Sequence, residues 1–118
     1  MEMVIFVGDD KENWGQISAL IKRAETDVII LVVRKGVTEF PSNEKCKIVE
    51  FDCNLPLLKL KEEMQEKLKK ELSGEFEIAL SIASGNGKEH MALIGALLSI
   101  PVGIRIAAYT KNGVEFVI

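Results

Sequence analysis

Short, unbroken apolar runs constrain this chain more than any other feature. Met3-Val4-Ile5-Phe6-Val7 is the first, and Val28–Val33 is the second and is rich in β-branched residues. A strand with one wet face alternates apolar and polar residues. These runs do not alternate, so both faces of each strand must be covered. Between them, Trp14, Ile17, Leu20, Ile21 and Ala24 recur at helical spacing across Asn13–Glu25. Doubly buried strands that alternate with amphipathic helices leave few architectures. The favoured one is a mostly parallel sheet with helices on both faces.

The same alternation continues along the chain. Arg34–Lys45 holds Gly36, Pro41, Ser42 and Asn43 and reads as a loop, with a short extended piece at Val37–Phe40. Lys47–Phe51 is a third, weaker strand. Pro56 is suited to the first turn of a helix. Behind it, Leu57, Leu60, Met64, Leu68 and Leu72 form one apolar stripe, and Glu63–Lys67 and Glu66–Lys70 pair on the wet face. Ser73-Gly74 ends that helix. Phe76–Ala83 is a fourth strand, Ser84-Gly85-Asn86-Gly87 a turn, and Lys88–Ile100 a third helix stopped by Pro101. Gly103–Thr110 is a fifth strand. Asn112-Gly113 is a strong hairpin signal, so Val114–Ile118 is expected to return antiparallel on that strand. The resulting order is β-α-β-β-α-β-α-β-β. We expect an α/β, Rossmann-like three-layer sandwich, a mostly parallel sheet with a C-terminal antiparallel hairpin strand. Its 118 residues suit a single domain spanning 1–118.

Composition removes several classes of function. The net charge is −3, which argues against coating long DNA or RNA. Two cysteines, Cys46 and Cys53, and one histidine, His90, are too few for a disulfide scaffold or a zinc cage. No metal and no organic cofactor is expected. The cysteine usage reads as a reduced, cytoplasmic protein. No apolar stretch approaches the roughly 20 residues needed to cross a bilayer, and the N-terminus lacks the pattern of a secretory leader. No membrane partner is expected.

Chemistry in an open parallel sheet sits beyond the carboxyl ends of the strands. This chain places Gly8, Asp9 and Asp10 after strand one and Arg34 and Lys35 after strand two. Ser84 to Lys88 follow strand four, and Lys111 follows strand five. Cations recur at that edge although the whole chain is acidic, which points to a phosphate-bearing ligand. Polar strand ends are also ordinary, so the concentration is a clue and not an assignment. The run Ser84-Gly85-Asn86-Gly87-Lys88-Glu89-His90 is the sharpest element. Its glycines permit a tight turn and close approach, and the helix it opens favours an anion. Lys88 is electrostatically out of place at a helix N-terminus unless an anion offsets it. The plainer alternative is a strand-to-helix turn that needs glycine.

Known phosphate loops do not fit. A P-loop needs glycine at Ile82 and Ser or Thr at Glu89, and Glu89 would repel phosphate. The dinucleotide fingerprint is missing after strand one, where Gly8 stands alone. Asp9 and Asp10 read as a solvated turn more readily than as a metal site. His90 reads as an acid–base group or as a helix cap. Trp14, in the first turn of helix one, reads as a packing anchor or a stacking platform. Neither cysteine has an acid–base partner by sequence. Arg105, within strand five, must find a partner or point to an edge or another subunit.

The pattern resembles the CARF (CRISPR-associated Rossmann fold) sensor domains. The likeness rests on the opening strand and polar turn, Ile5-Phe6-Val7-Gly8-Asp9-Asp10. It also rests on Ile82-Ala83-Ser84-Gly85-Asn86-Gly87-Lys88 leading into Met91-Ala92-Leu93-Ile94-Gly95-Ala96-Leu97, and on the strand and hairpin over Ile104–Ile118. Many members carry Gly-Gly-Thr-Lys where this chain reads Gly85-Asn86-Gly87-Lys88. The resemblance implies a two-fold homodimer that binds a cyclic oligoadenylate across its interface; family members usually carry a second effector domain, and 118 residues lead us to expect a stand-alone member. The resemblance also implies a metal-independent ring nuclease as one outcome, in which a ribose 2′-hydroxyl attacks the adjacent phosphorus. Lys88 and the amides of Gly85–Gly87 would then stabilise charge and Ser84 would position the sugar or phosphate. His90 would contact the ligand and is a secondary candidate for proton transfer. Asp9, Asp10 and Asn13 would hydrogen-bond an adenine edge or ribose, with Gly8 beside them in the ligand-binding set. Two rivals stay open: a non-catalytic interaction or scaffold protein of the same fold, and a small enzyme acting on another phosphorylated metabolite. The last would show a closed pocket within one subunit.

Overall fold

The structure is a computed structural model that describes residues 1–118. The first strand, β1 (Glu2–Val7), is buried along its whole length. A short 3-10 turn, Lys11–Asn13, leads into α1 (Trp14–Arg23), followed by β2 (Ile29–Arg34) and β3 (Cys46–Phe51). Next come α2 (Leu57–Glu71), β4 (Glu77–Ser81), α3 (Gly87–Ser99), β5 (Gly103–Thr110) and β6 (Gly113–Phe116). The six strands are ordered β3-β2-β1-β4-β5-β6. All neighbours pair parallel except β5 and β6, which pair antiparallel with Thr110 opposite Gly113.

Strands β1 and β2 are apolar over Met3–Val7 and Ile29–Val33 because each face supplies a different core. Val4, Phe6, Ile30 and Val32 face α2 and α3, together with Leu60, Met64, Leu68, Leu93 and Leu97. Met3, Ile5, Val7, Ile29, Leu31 and Val33 face α1, together with Ile17, Leu20 and Ile21. In α2, Leu60, Met64 and Leu68 recur every fourth residue and are fully buried. Each such side chain contributes about 1.5–3 kcal/mol of burial free energy, which outweighs the weak intrinsic stability of a lone helix. The edge strand β3 leaves Lys47 and Glu50 exposed, and charged side chains there discourage pairing with another sheet.

Several boundaries differ from those read in the sequence. Val37–Phe40 forms no strand. Val37 and Phe40 instead tuck half-buried against the α1-side core. The fourth strand is shorter than Phe76–Ala83, because Phe76 is almost wholly exposed and pairing with β1 stops at Ser81. Beyond it the backbone turns towards the loop after β1. The first helix begins at Trp14 rather than Asn13 and ends at Arg23. The second strand extends to Arg34, which carries that side chain to the end of the sheet. Arg105 finds its partners within the chain: Nε donates to the Ile118 carbonyl at 3.2 Å, and the guanidinium lies 4.2 Å from the Phe116 ring centroid.

Candidate functional site

The strand order reverses between β1 and β4. The chain leaves β1 towards β2 and leaves β4 towards β5, so the two departing loops diverge from one point on the carboxyl edge. Crevices at such points are where open α/β sheets take ligands. Here two glycines meet. A Cβ on Gly8 would lie 2.9 Å from the Gly85 Cα, and one on Gly85 would lie 2.6 Å from the Phe6 ring. Gly85 also has φ +102°, a backbone region costly for any side chain. Neither position tolerates alanine without displacing the other loop or the core ring.

One hydroxyl ties the loops together. Ser84 is fully buried. Its Oγ accepts the Gly8 N–H at 2.8 Å and donates to Asp10 Oδ1 at 2.5 Å. The same Asp10 oxygen accepts the Gly85 N–H at 3.0 Å, and Oδ2 accepts the Asn13 amide at 2.7 Å. Burial works to raise the Asp10 carboxyl, but the Ser84 hydroxyl, the Asn13 amide and the Gly85 N–H together hold it below its ordinary value. His90 Nε2 lies 2.7 Å from the Ser84 carbonyl. A carbonyl only accepts, so Nε2 carries the proton and Nδ1 is the nitrogen left for other chemistry. The imidazole stands edge-on to Phe6, with centroids 6.1 Å apart. Trp14 completes this side, its indole N–H donating to the Gly8 carbonyl at 3.1 Å. That bond makes it a loop anchor.

On the other side of Gly85, α3 opens with a reciprocal cap. The Asn86 side chain accepts the Glu89 N–H, and Glu89 Oε1 accepts the Asn86 N–H, both at 2.9 Å. The Gly87 and Lys88 amides have no acceptor within the helix, and a Cβ on Gly87 would meet nothing within 4 Å. Lys88 donates from Nζ to the Cys53 carbonyl at 3.0 Å. Glu89 is only 3% exposed and places Oε2 2.9 Å from Arg34 Nη1. Arg34 also donates from Nη2 to Asn54 Oδ1 at 3.0 Å. The hydrogen bond to Glu89 raises the Arg34 pKa further above its already high value. Cys53 lies beneath. Burial first, and then Glu89, push its thiol up to about 12, so it remains protonated at neutral pH.

The structure therefore brings Gly8, Asp10, Asn13, Ser84, Gly85 and His90 into one hydrogen-bonded junction, with Asn86, Gly87 and Lys88 at its rim. Asp9 stands apart: its side chain is 80% exposed and lies 3.9 Å from Arg34 Nε, beyond hydrogen-bond distance. Two expectations change. Ser84 has its hydroxyl committed on both sides inside the protein, so as placed it holds the loop and does not line open surface. Glu89, expected to repel phosphate, is instead buried in an ion pair with Arg34, and the Lys88 ammonium is held by the Cys53 carbonyl. The spacing Asn86-x-x-Glu89 is a readable capping signature. The partnership of Glu89 with Arg34, 55 positions away, has no local signal.

A well-formed groove lies away from this edge. It measures about 540 Å³ on the α1 face, lined by Met3, Ala79, Tyr109, Val114 and Phe116 among others, and it includes none of the junction residues. A smaller hollow of about 280 Å³ lies beside the start of α3, between Leu57, Leu58 and Met91. No group of three or more His, Cys, Asp or Glu side chains is placed to hold a metal ion, and no helix is long and apolar enough to cross a membrane.

No protein-family model and no curated protein matches the chain. Among solved structures, the chain is similar to Csm6 of Enterococcus italicus, determined bound to cyclic hexa-2′-fluoro-hexa-dAMP, with 16% sequence identity and a TM-score of 0.59. The match covers 93% of this chain and 33% of that one, so this chain spans about a third of the length of the protein it resembles. At that identity the likeness is one of fold: a compact α/β domain with a mostly parallel sheet and a closing antiparallel strand.

Proposed function

We propose that this chain is a CARF-like domain that binds a cyclic oligoadenylate at the carboxyl edge of its sheet, one ring shared between two copies. The observation that carries this reading is the junction at the switch point. Two glycine loops are locked in contact by Ser84 and Asp10, while Gly87, Lys88 and Arg34 are held at the rim as donors. A phosphodiester needs such preorganised N–H groups and cations, because their orientation is then fixed before the ligand arrives. The similarity in fold to a protein bound to a cyclic 2′-fluoro-dAMP hexanucleotide supports the same ligand class.

In this reading Lys88 and the amides of Gly87 and Lys88 contact phosphate. Lys88 has two further ammonium protons beyond the one given to Cys53. Asp10, Ser84 and Gly8 set the loop, and Asn13, Asp9 and Asn86 lie where an adenine edge or ribose would pass. A homodimer is supported by an apolar patch beside the loop, where Leu58 is 73% and Met91 59% exposed. Met91 is one turn along α3 from Lys88, so a two-fold contact over this patch sets two loops side by side.

Cleavage, where it occurs, balances without metal. The ribose 2′-oxygen bonds to phosphorus and the bond from phosphorus to the 5′-oxygen breaks. The 2′-hydroxyl proton ends on the 5′-oxygen, leaving a 2′,3′-cyclic phosphate. His90 Nδ1 is the nitrogen with freedom to pass that proton. Mixing the protein with cyclic tri-, tetra- and hexa-adenylates and linear controls, without metal, tests the proposal by thermal shift and product chromatography. Stabilisation by one ring size is expected. Conversion to linear fragments over hours identifies a ring nuclease, and stabilisation without conversion identifies a sensor. No shift with any ring contradicts the proposal. It then favours the interaction-protein reading, which the open apolar groove on the α1 face supports.

A further inference from the structure

We propose that Arg34 is a phosphate-contacting residue of this edge, aimed at the ligand by buried Glu89 and by Asn54. The inference deepens the ligand reading above and rests on it for the identity of the ring, but not for the anion chemistry. It starts from a carboxylate with one oxygen too many for its local task. Glu89 needs only Oε1 to close the cap with Asn86, and a glutamine at that position does the same. Its second oxygen, on a side chain 3% exposed, is spent on Arg34 Nη1 at 2.9 Å. Asn54 holds Nη2 at 3.0 Å. Two contacts on different nitrogens fix the plane of the guanidinium at the open end of β2. A planar cation fixed in this way is suited to a phosphodiester oxygen.

The guanidinium has five N–H donors, of which these two contacts use two. The remaining charged neighbour on the loop after β1, Asp9, is 80% exposed and 3.9 Å from Nε. That is close enough for attraction and too far for a hydrogen bond, so an incoming phosphate displaces it at little cost. Arg34 itself is 24% exposed, neither sealed in the core nor free to swing. Lys88 donates to the Cys53 carbonyl and Arg34 to Asn54, the next residue, so two cations from different elements meet at one corner beside the start of α3. If Arg34 served only to neutralise Glu89, removing both charges together would restore the site. If it contacts phosphate, removing both would not.

Binding of cyclic tetra- and hexa-adenylate and of inorganic tripolyphosphate is measured for wild type, R34Q, E89Q and R34Q/E89Q, at low and moderate salt. R34Q is expected to weaken binding roughly ten- to a hundredfold and to lower its salt dependence, as loss of one phosphate contact requires. E89Q keeps the cap and is expected to weaken binding only a few-fold through lost aim. The double variant is expected to bind no better than R34Q. Wild-type affinity in the double variant, or in R34Q, overturns the proposal. Should R34Q fail to fold, R34K carries the test. Charge without the fork predicts a several-fold loss with the salt dependence kept, and affinity equal to wild type overturns the proposal. If tripolyphosphate binds and R34Q weakens it while no ring binds, the ring reading falls and Arg34 stands. If neither probe binds wild type, both fall.

Discussion

At the scale of single residues, the junction shows how little chemistry is needed to fix two loops. Asp10 accepts three hydrogen bonds from Ser84, Gly85 and Asn13, and its carboxyl is held below the ordinary value of 3.8. A carboxyl lowered in the folded state stabilises the fold fully above its unfolded pKa and loses that contribution as pH falls through the folded one. Asp10→Asn presents an amide donor where Oδ2 receives the Asn13 amide. The variant should therefore lose roughly 1–2 kcal/mol at neutral pH. Its melting temperature and that of wild type should converge as the pH drops well below 3.8. Thermal unfolding from pH 7 to pH 2 measures both; a gap that stays constant across that range would refute the role given to the carboxylate. Ser84 and Gly85 stand out in the sequence as a turn. Nothing in the sequence says that the serine hydroxyl faces inward, because its partners lie 74 and 76 positions away.

At the scale of elements, the strands and helices are legible because their burial is two-sided and regular. Unbroken β-branched runs locate β1 and β2, and the four-residue spacing of Leu60, Met64 and Leu68 locates α2. Ends are less legible, since they depend on what the neighbouring strand offers. The fourth strand stops at Ser81 where β1 stops pairing with it, and the piece Val37–Phe40 packs by its side chains without joining the sheet. In the proposed reading the start of α3 is the element that contacts the ligand. Its cap needs Asn86 and Glu89 but not Lys88, whose contact with the fold is one bond to the Cys53 carbonyl. Lys88→Ala should therefore change stability by no more than about 1 kcal/mol while weakening a bound ring roughly tenfold or more. Chemical denaturation and ligand titration on the same variant separate the two effects. Unchanged affinity would remove Lys88 from the site.

At the scale of the molecule, the order β3-β2-β1-β4-β5-β6 creates a single reversal of direction, and the glycine loops, Arg34 and Lys88 all gather at that edge. The fold class could be read from periodicity alone. The candidate edge proposed for the ligand followed from a topological rule once the order of elements was known. What could not be read was the wiring across the edge, above all Arg34 to Glu89, because ion pairs between distant strands leave no periodic trace. The α1 face keeps an open groove on one side, and the patch at Leu58 and Met91 is exposed beside the loop on the other. The central claim concerns a ring held between two such edges, and its stoichiometry tests it most directly. Calorimetric titration of the purified protein with the stabilising cyclic oligoadenylate, with sedimentation of the complex, should give one ring for two chains in a single binding phase. One ring per chain on a monomer, or no heat with any ring size, would contradict the account.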